Sequence, residues 1–425
     1  MIKSIRLKNF FSFKEETIHL NTDRNVVVGI NGSGKSNFFK AIRLLCEGVA
    51  GMGLKKLILE NWGGINEIFF KGSNDDCVEL EFVFQSKSIK RYGHDFEDDI
   101  HYFVGLSRKP GQGNYFVTER VFTKVGLTYC FLEFDNGQGE LKAQQGTFTN
   151  DKAVVRYKDY DPQELTLGKV FDTDRYYPLT TLRSAIADIA VYDYFDTSPN
   201  SRIRKAMKAT SEKRLLPDGS NMPQILNTIK INHKPQYYKI VEMLNKVNGR
   251  FRGFDFHFIG SGNIELMLDE DGLDSSIHIS HISDGTLRYL CLLSILMNPN
   301  RGGFICIDEP EMGLHPDMIH HVAQAVRGVA SAYVGPTMLL ATYSENILQE
   351  FDIRDVRVFE KAEGNCTKVK SYKEKDFEGW YQRFHLGHLW RNGSIGGKRW
   401  ESCELPASEA EPQPRSLEEH EASLY

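Results

Sequence analysis

Gly29-Ile30-Asn31-Gly32-Ser33-Gly34-Lys35-Ser36, written GINGSGKS, follows the β-branched run Val26-Val27-Val28 and precedes NFFKAIRLL, whose apolar residues recur at helical spacing. Strand, glycine loop and helix in that order form the setting of a phosphate-binding loop. Glycines at 29, 32 and 34 let the backbone curl until several N–H groups face one point. The helix that opens there adds the positive end of its dipole. Lys35 is placed to reach the β- and γ-phosphates, and the Ser36 hydroxyl to ligate Mg²⁺. The candidate nucleotide-binding set is therefore Gly29, Asn31, Gly32, Ser33, Gly34, Lys35, Ser36 and Asn37, with ATP and Mg²⁺ as the expected ligands.

The surrounding chain has 425 residues, enough for two or more lobes around a substantial core. Its 41% hydrophobic and 26% charged residues are ordinary for a globular protein. No apolar run approaches the roughly 20 residues of a membrane span, and the N-terminus lacks the long apolar core of a secretion signal. The net charge of −5 gives no global attraction to nucleic acid, so any DNA contact must come from a local patch. Seven cysteines are scattered without a C-x-x-C pair, which reads as reduced thiols in a cytoplasmic protein rather than a disulfide frame or zinc site.

Along the chain, IKSIRLKNF and FSFKEETIHL read as strands, and the loop helix runs to about Glu47. A β-rich tract from about Val78 to Tyr157, broken by turns such as KPGQG and DNGQG, reads as an antiparallel meander. From Tyr177 the pattern turns helical through LTTLRSAIADIAVYDYF, SRIRKAMKATSEKR, MPQILNTIK and QYYKIVEMLNKVN. Arg202, Arg204, Lys205, Lys208, Lys213 and Arg214 fall within this arm, either as a solvated helix face or as a phosphate-backbone or protein-docking patch. Later segments alternate strand and helix, which implies parallel strands with crossover helices. The expected organisation is an N-terminal lobe at 1–170, a helical arm at 171–248, a C-terminal lobe at 249–400, and an acidic disordered tail at 401–425.

Phe304 to Ile307 run straight into Asp308-Glu309, so a buried strand delivers two carboxylates to the carboxyl edge of the sheet, where α/β proteins bind ligands. Asp308 is expected to hold Mg²⁺ opposite Ser36, and Glu309 to orient and deprotonate the attacking water. Twenty-five residues before Asp308, Ser283-Asp284-Gly285 opens a helix and offers a second anion site. His315, His320 and His321 read as loop or helix-face residues, since neighbours on a helix face apart.

GINGSGKS, the S-D-G-T element, FICIDEPEMGLHP and LLATYS together resemble an α/β ABC-type ATPase head of the RecF and SMC class, a P-loop fold with an antiparallel β-subdomain and a short inserted helical arm. The opening IKSIRLKNFFSF, LLPDGSNMPQIL and LGHLWRNGSIGG are similar to segments of its small stand-alone bacterial members, including the ATPase component of antiphage systems such as PARIS. That resemblance implies slow ATP hydrolysis by a head-to-tail pair of copies. Each ATP would sit on one copy's Gly29–Ser36 and face Ser283 and Gly285 of the other. It also implies either a separate effector protein in antiphage defence or, as the other reading, DNA binding in repair or chromosome maintenance. The chain lacks long paired heptads. Gln85, which ends VELEFVF, is the candidate for the glutamine that contacts the metal in this class. Tyr343 stands where the class has a histidine that senses the γ-phosphate.

Overall fold

The computed structural model describes residues 1–108, 114–124, 129–142, 154–208, 210–331, 335–373 and 385–396. The expected tail at 401–425 and the KPGQG turn lie outside them. Strands β1 (Ile2–Phe10) and β2 (Phe13–His19) form a hairpin. The chain then crosses to a second sheet as β3 (Arg24–Val28) and enters α1 (Lys35–Ala50), one turn beyond the expected end. A π-helical stretch (Lys56–Asn61) and α2 (Ile65–Ile68) lead back to the first sheet at β4 (Cys77–Phe84). After α3 (Ser86–Ile89) come β5 (Ile100–Arg108), β6 (Tyr115–Thr123), β7 (Cys130–Asp135), β8 (Gln138–Lys142) and β9 (Val154–Tyr157). These eight strands make one antiparallel sheet in the order β2-β1-β4-β5-β6-β7-β8-β9. The expected meander is therefore its β4–β9 portion. Strict alternation along β4 turns Val78, Leu80, Phe82 and Phe84 into the core.

Helix α4 (Tyr177–Ala187) runs into β10 (Ile189–Tyr192), followed by β11 (Met207–Lys208), α5 (Met222–Asn232) and α6 (Lys234–Val247). Strands β12 (Phe251–Ile259), β13 (Asn263–Glu270) and β14 (Ile277–His278) join β11 in a small separate sheet. The remainder alternates α7 (Asp284–Leu296), β15 (Phe304–Asp308), α8 (Pro316–Ala330), β16 (Thr337–Thr342), α9 (Glu345–Leu348), β17 (Val356–Lys361), β18 (Thr367–Ser371) and α10 (Leu386–Arg391).

The central sheet has the order β10-β15-β16-β3-β17-β18, parallel except for its β18 edge. It is covered on both faces, and the strand period of two divides its side chains between two cores. Val27, Phe304, Cys306, Leu339 and Ala341 pack with α1, α4 and the eight-stranded sheet. Val26, Val28, Ile305, Ile307 and Leu340 pack with α5, α7 and α8.

Two expectations for the helical arm are corrected. Ile189–Tyr192 is a strand, not a continuation of α4, because it pairs in parallel with β15 from Ile189↔Phe304 to Tyr192↔Ile307. The range 171–248 thus contributes to the central sheet as well as the helices α4, α5 and α6. The basic stretch is not helical either: it holds a single 3-10 turn (Arg202–Arg204) and the two-residue β11. No helix among the described residues is long and apolar enough to cross a membrane.

Candidate nucleotide site

Parallel register brings the ends of β3, β15 and β16 together, with Val28 opposite Thr342 and Asp308 opposite Ala341. The phosphate loop, Asp308, Glu309 and Tyr343 sit on or just past that edge. Gly34, at φ +109°, makes the turn into α1. A Cβ there would fall 2.3 Å from Thr367 Oγ1 and 2.8 Å from Ser12 Oγ, so only glycine fits. Those two hydroxyls brace the loop from behind. Thr367 donates to the Ser33 carbonyl at 2.8 Å, and the Asn37 amide donates to Ser12 Oγ at 3.0 Å. Asn37 therefore supports the loop with its side chain, and Ser33 is wholly buried, whereas Asn31, Gly32 and Ser36 are exposed.

Lys35 is only 5% exposed, and its ammonium donates to the carbonyls of Gly29 at 2.6 Å and Ile30 at 3.3 Å. Burial pulls its pKa below the usual lysine range, opposed by the charges of Glu309, Asp308 and Glu311. The Ser36 hydroxyl lies beside Asp308 and favours its ionised form. Burial, then the neighbouring Glu309 and Asp193 carboxylates, push the Asp308 carboxyl up to about 6. Its Oδ1 is buried without a protein partner. A hydroxyl beside a carboxylate with an unsatisfied oxygen is the donor set that Mg²⁺ takes when phosphates and water complete its shell. The residues present fit that ion.

Glu309 follows directly, its N–H bonded to the Ala341 carbonyl at 2.8 Å and its backbone left-handed at φ +49°. A glutamate held in that region stores strain, which proteins tolerate mainly at functional positions. Tyr343, at the end of β16, is 45% exposed. Burial and then the Glu311 and Glu309 charges raise its pKa, keeping it a neutral donor. Glu311 had no expected role; it is 5% exposed and accepts from the Thr342 hydroxyl at 2.6 Å and the Tyr343 N–H at 3.0 Å. It locks the turn carrying Tyr343 to the segment carrying Glu309. Its place as the third carboxylate of D-E-P-E was the signal available.

Ser283 caps α7, its hydroxyl accepting the Thr286 N–H at 3.2 Å. Gly285 abuts the Gly313 carbonyl, which a Cβ would approach to 3.0 Å. This pair opens toward solvent rather than being buried in its own head.

Gln85 is not part of the site, and that expectation is corrected. Its N–H bonds Met1, whose nitrogen lies 3.2 Å from Thr337 Oγ1. Thr337 opens β16, so Gln85 sits by the amino edge of the parallel sheet, about 16 Å of strand away from Thr342. The side chain that does flank Asp308 is Asp193, the residue after β10, which pairs with Arg43 of α1 at 2.6 Å. An apolar strand ending in aspartate, IAVYD, parallels FICID and was the legible cue. Among the described residues no three His, Cys, Asp or Glu side chains converge as a metal cage.

Comparison with known proteins agrees with this geometry. An "ATP/GTP phosphatase" of Helicobacter pylori is 22% identical over 331 residues, covering 74% of this chain and 77% of that protein. The Rad50 ATPase of Thermoplasma acidophilum is 29% identical over 150 residues, 33% of this chain and 16% of Rad50. Among solved structures, an Smc head bound to the C-terminal winged-helix domain of ScpA aligns with a TM-score of 0.55 at 14% identity, covering 88% of this chain and 99% of that one. The Pyrococcus furiosus Smc head with an extended coiled coil gives 0.54 at 12% identity, covering 90% and 98%. The family described as "AAA domain, putative AbiEii toxin, Type IV TA system" matches residues 24–342, well over half of the sequence. With that match around a phosphate loop and carboxylate pair set in an SMC-head fold, the chain belongs to this AAA-domain family and is an ATPase of the RecF/SMC-like ABC type.

Proposed function

We propose that two copies of this protein close head-to-tail around two ATP molecules, hydrolyse them slowly, and serve as an ATP-gated scaffold or sensor for a separate effector in bacterial antiphage defence. The observation that carries the catalytic part is the Ser36–Asp308 pair with its unpartnered buried oxygen, set beside Lys35 and Glu309 on one sheet edge. Mg²⁺ held there by Ser36 and Asp308 would supply charge neutralisation between the β- and γ-phosphates. Lys35 exchanges its loop carbonyls for phosphate oxygens. Glu309 takes a proton from the water that attacks the γ-phosphorus, and ADP leaves with the bridging oxygen. Tyr343 donates a hydrogen bond to the γ-phosphate without changing charge. Ser283 and Gly285 of the second copy complete the oxygen contacts with a hydroxyl, backbone N–H groups and the positive end of α7.

The exposed Ser283 beside the partly exposed Gly285 supports the paired arrangement, since a lone head leaves both without a nucleotide. The family description, which names a toxin of a toxin–antitoxin system, supports the defence role. For the DNA-repair alternative, Arg204 and Arg214 are engaged within the fold and withdrawn from the basic patch, while Arg202, Lys205, Lys208 and Lys213 remain exposed. Glu309→Gln should bind ATP and shift from monomer to dimer in size measurement. An unchanged size distribution with saturating ATP overturns the paired arrangement. For the defence role, the gene with its genomic neighbours should reduce phage plaques, and Lys35→Ala should remove that protection. Equal plaque counts with and without the gene set overturn it.

A further inference from the structure

We infer that Arg204 is a positioning residue that holds the Ser283–Gly285 loop in shape, and that it acts on the nucleotide bound by the second copy rather than by its own. The inference rests on the head-to-tail arrangement proposed above. Arg204 lies in the 3-10 turn Arg202–Arg204, yet its side chain is only 8% exposed. Its guanidinium gathers the segment that leads into α7. Nη1 donates to the carbonyls of Ile279 at 3.0 Å, Ser280 at 3.1 Å and Ile282 at 2.8 Å. Nη2 donates to the Asp284 carboxylate, and Nε ties the group back to the Thr197 carbonyl at 2.7 Å. A planar fork with five N–H donors suits this spread of acceptors, and a lysine ammonium does not.

The contact with Asp284 has an electrostatic consequence. Asp284 occupies the first turn of α7, where its negative charge would face an incoming phosphate. Arg204 supplies the compensating charge, so the helix end keeps its attraction for an anion. A second arginine, Arg288 of α7 itself, reaches back from the helix to the segment that follows β10. Arg288 donates through Nε to the Phe195 carbonyl at 3.4 Å and lies over the Tyr194 ring, 4.4 Å from its centroid. The loop these arginines hold begins at Asp193, which flanks Asp308 and pairs with Arg43. The Ser283–Gly285 loop is thus fixed, through contiguous contacts, to the edge of its own head's nucleotide site.

Two variants of the full chain, Arg204→Met and Arg204→Lys, test this. Each alone should bind ATP within about twofold of the parent while hydrolysis on assembled protein falls at least about tenfold in kcat. Mixing either with Lys35→Ala should restore hydrolysis to about a quarter of the parent rate. Half the pairs are then mixed, and each mixed pair carries one complete site. A control mixture of Ser283→Arg with Lys35→Ala should recover equally. Recovery in the control but not with the Arg204 variants overturns the inference, because Arg204 would then serve its own head. Absence of recovery in the control overturns the head-to-tail arrangement itself. Full activity of Arg204→Lys on its own overturns the role of the fork, and Arg204→Lys decides the mixing test where Arg204→Met does not fold.

Discussion

Replacing Glu309 by glycine, alanine and glutamine separates two properties of one side chain. At φ +49° the Cβ of Glu309 crowds its own carbonyl, at a cost of about 1–2 kcal/mol. Glycine removes that crowding but adds about 0.5–1 kcal/mol of chain entropy to be lost on folding. The difference should leave Glu309→Gly about 0.5–1 kcal/mol more stable than Glu309→Ala, since alanine keeps the strain and drops only the carboxylate. Glu309→Gln keeps the strain and shape, and reports the relief of repulsion against Asp308. All three lose the proposed base, so single-turnover hydrolysis should fall by roughly 10²–10⁴ with ATP binding retained. Equilibrium denaturation of the nucleotide-free protein and a rapid-quench assay on assembled protein measure the two effects. Glu309→Ala at least as stable as Glu309→Gly would refute the strain argument. Parent-like hydrolysis by any of the three would refute the assignment of the base.

Lys35→Ala should weaken ATP binding by at least about tenfold in equilibrium titration, since a charged donor to the phosphates is lost. Tyr343→His should speed turnover and Tyr343→Phe slow it, with ATP affinity nearly unchanged; equal single-turnover rates for all three side chains would remove Tyr343 from the mechanism. The pH dependence of stability in EDTA without nucleotide should carry the mark of Asp308. Its carboxyl rises from 3.8 to about 6 in the fold, so the native state binds more protons between those values, and stability declines as pH increases through them. Asp308→Asn should flatten that decline, and an identical pH profile for parent and variant would show that Asp308 is not the group responsible.

The strands that carry the chemistry were legible because they are buried on both faces. VVV, FICI and TMLLA are continuous apolar runs, and each ends at a residue that reaches the site. Strand β10 lies at the sheet edge, only partly buried, and abuts α4 with only Asp188 between them. A four-residue apolar run next to a helix has no period of its own to betray it. Strands β17 and β18 complete the sheet and supply Thr367 behind the loop, yet their polar alternation carried no motif, and neither was expected. Gln85 failed for a different reason: an amide at a strand end says nothing about which edge of which sheet it occupies. Arg204 was misread as part of a solvated or docking patch because its partners are backbone carbonyls 75 to 78 residues further on. No side-chain pattern records a carbonyl.

The charge arrangement at the sheet edge bears on why nucleotide and cation should act as one ligand. Lys35 faces Glu309, Asp308 and Glu311, and Asp193 adds a fourth carboxylate beside Asp308. A triphosphate arriving alone would bring further negative charge to a site with one buried ammonium, already satisfied by the carbonyls of Gly29 and Ile30. Repulsion of that kind is strong where water is excluded. Asp308 and Ser36 would hold a divalent cation that reverses its sign, since the free oxygen of Asp308 would gain a partner and the phosphates a counter-charge. Binding of the pair is therefore more favourable than the sum of each alone, which is positive linkage between them. In the proposed pair, the second copy's α7 would add its dipole on the far side of the phosphates only after that neutralisation. In the proposed pair, electrostatics would set the order: cation and nucleotide first, second copy next, and release of the pair once the γ-phosphate is gone.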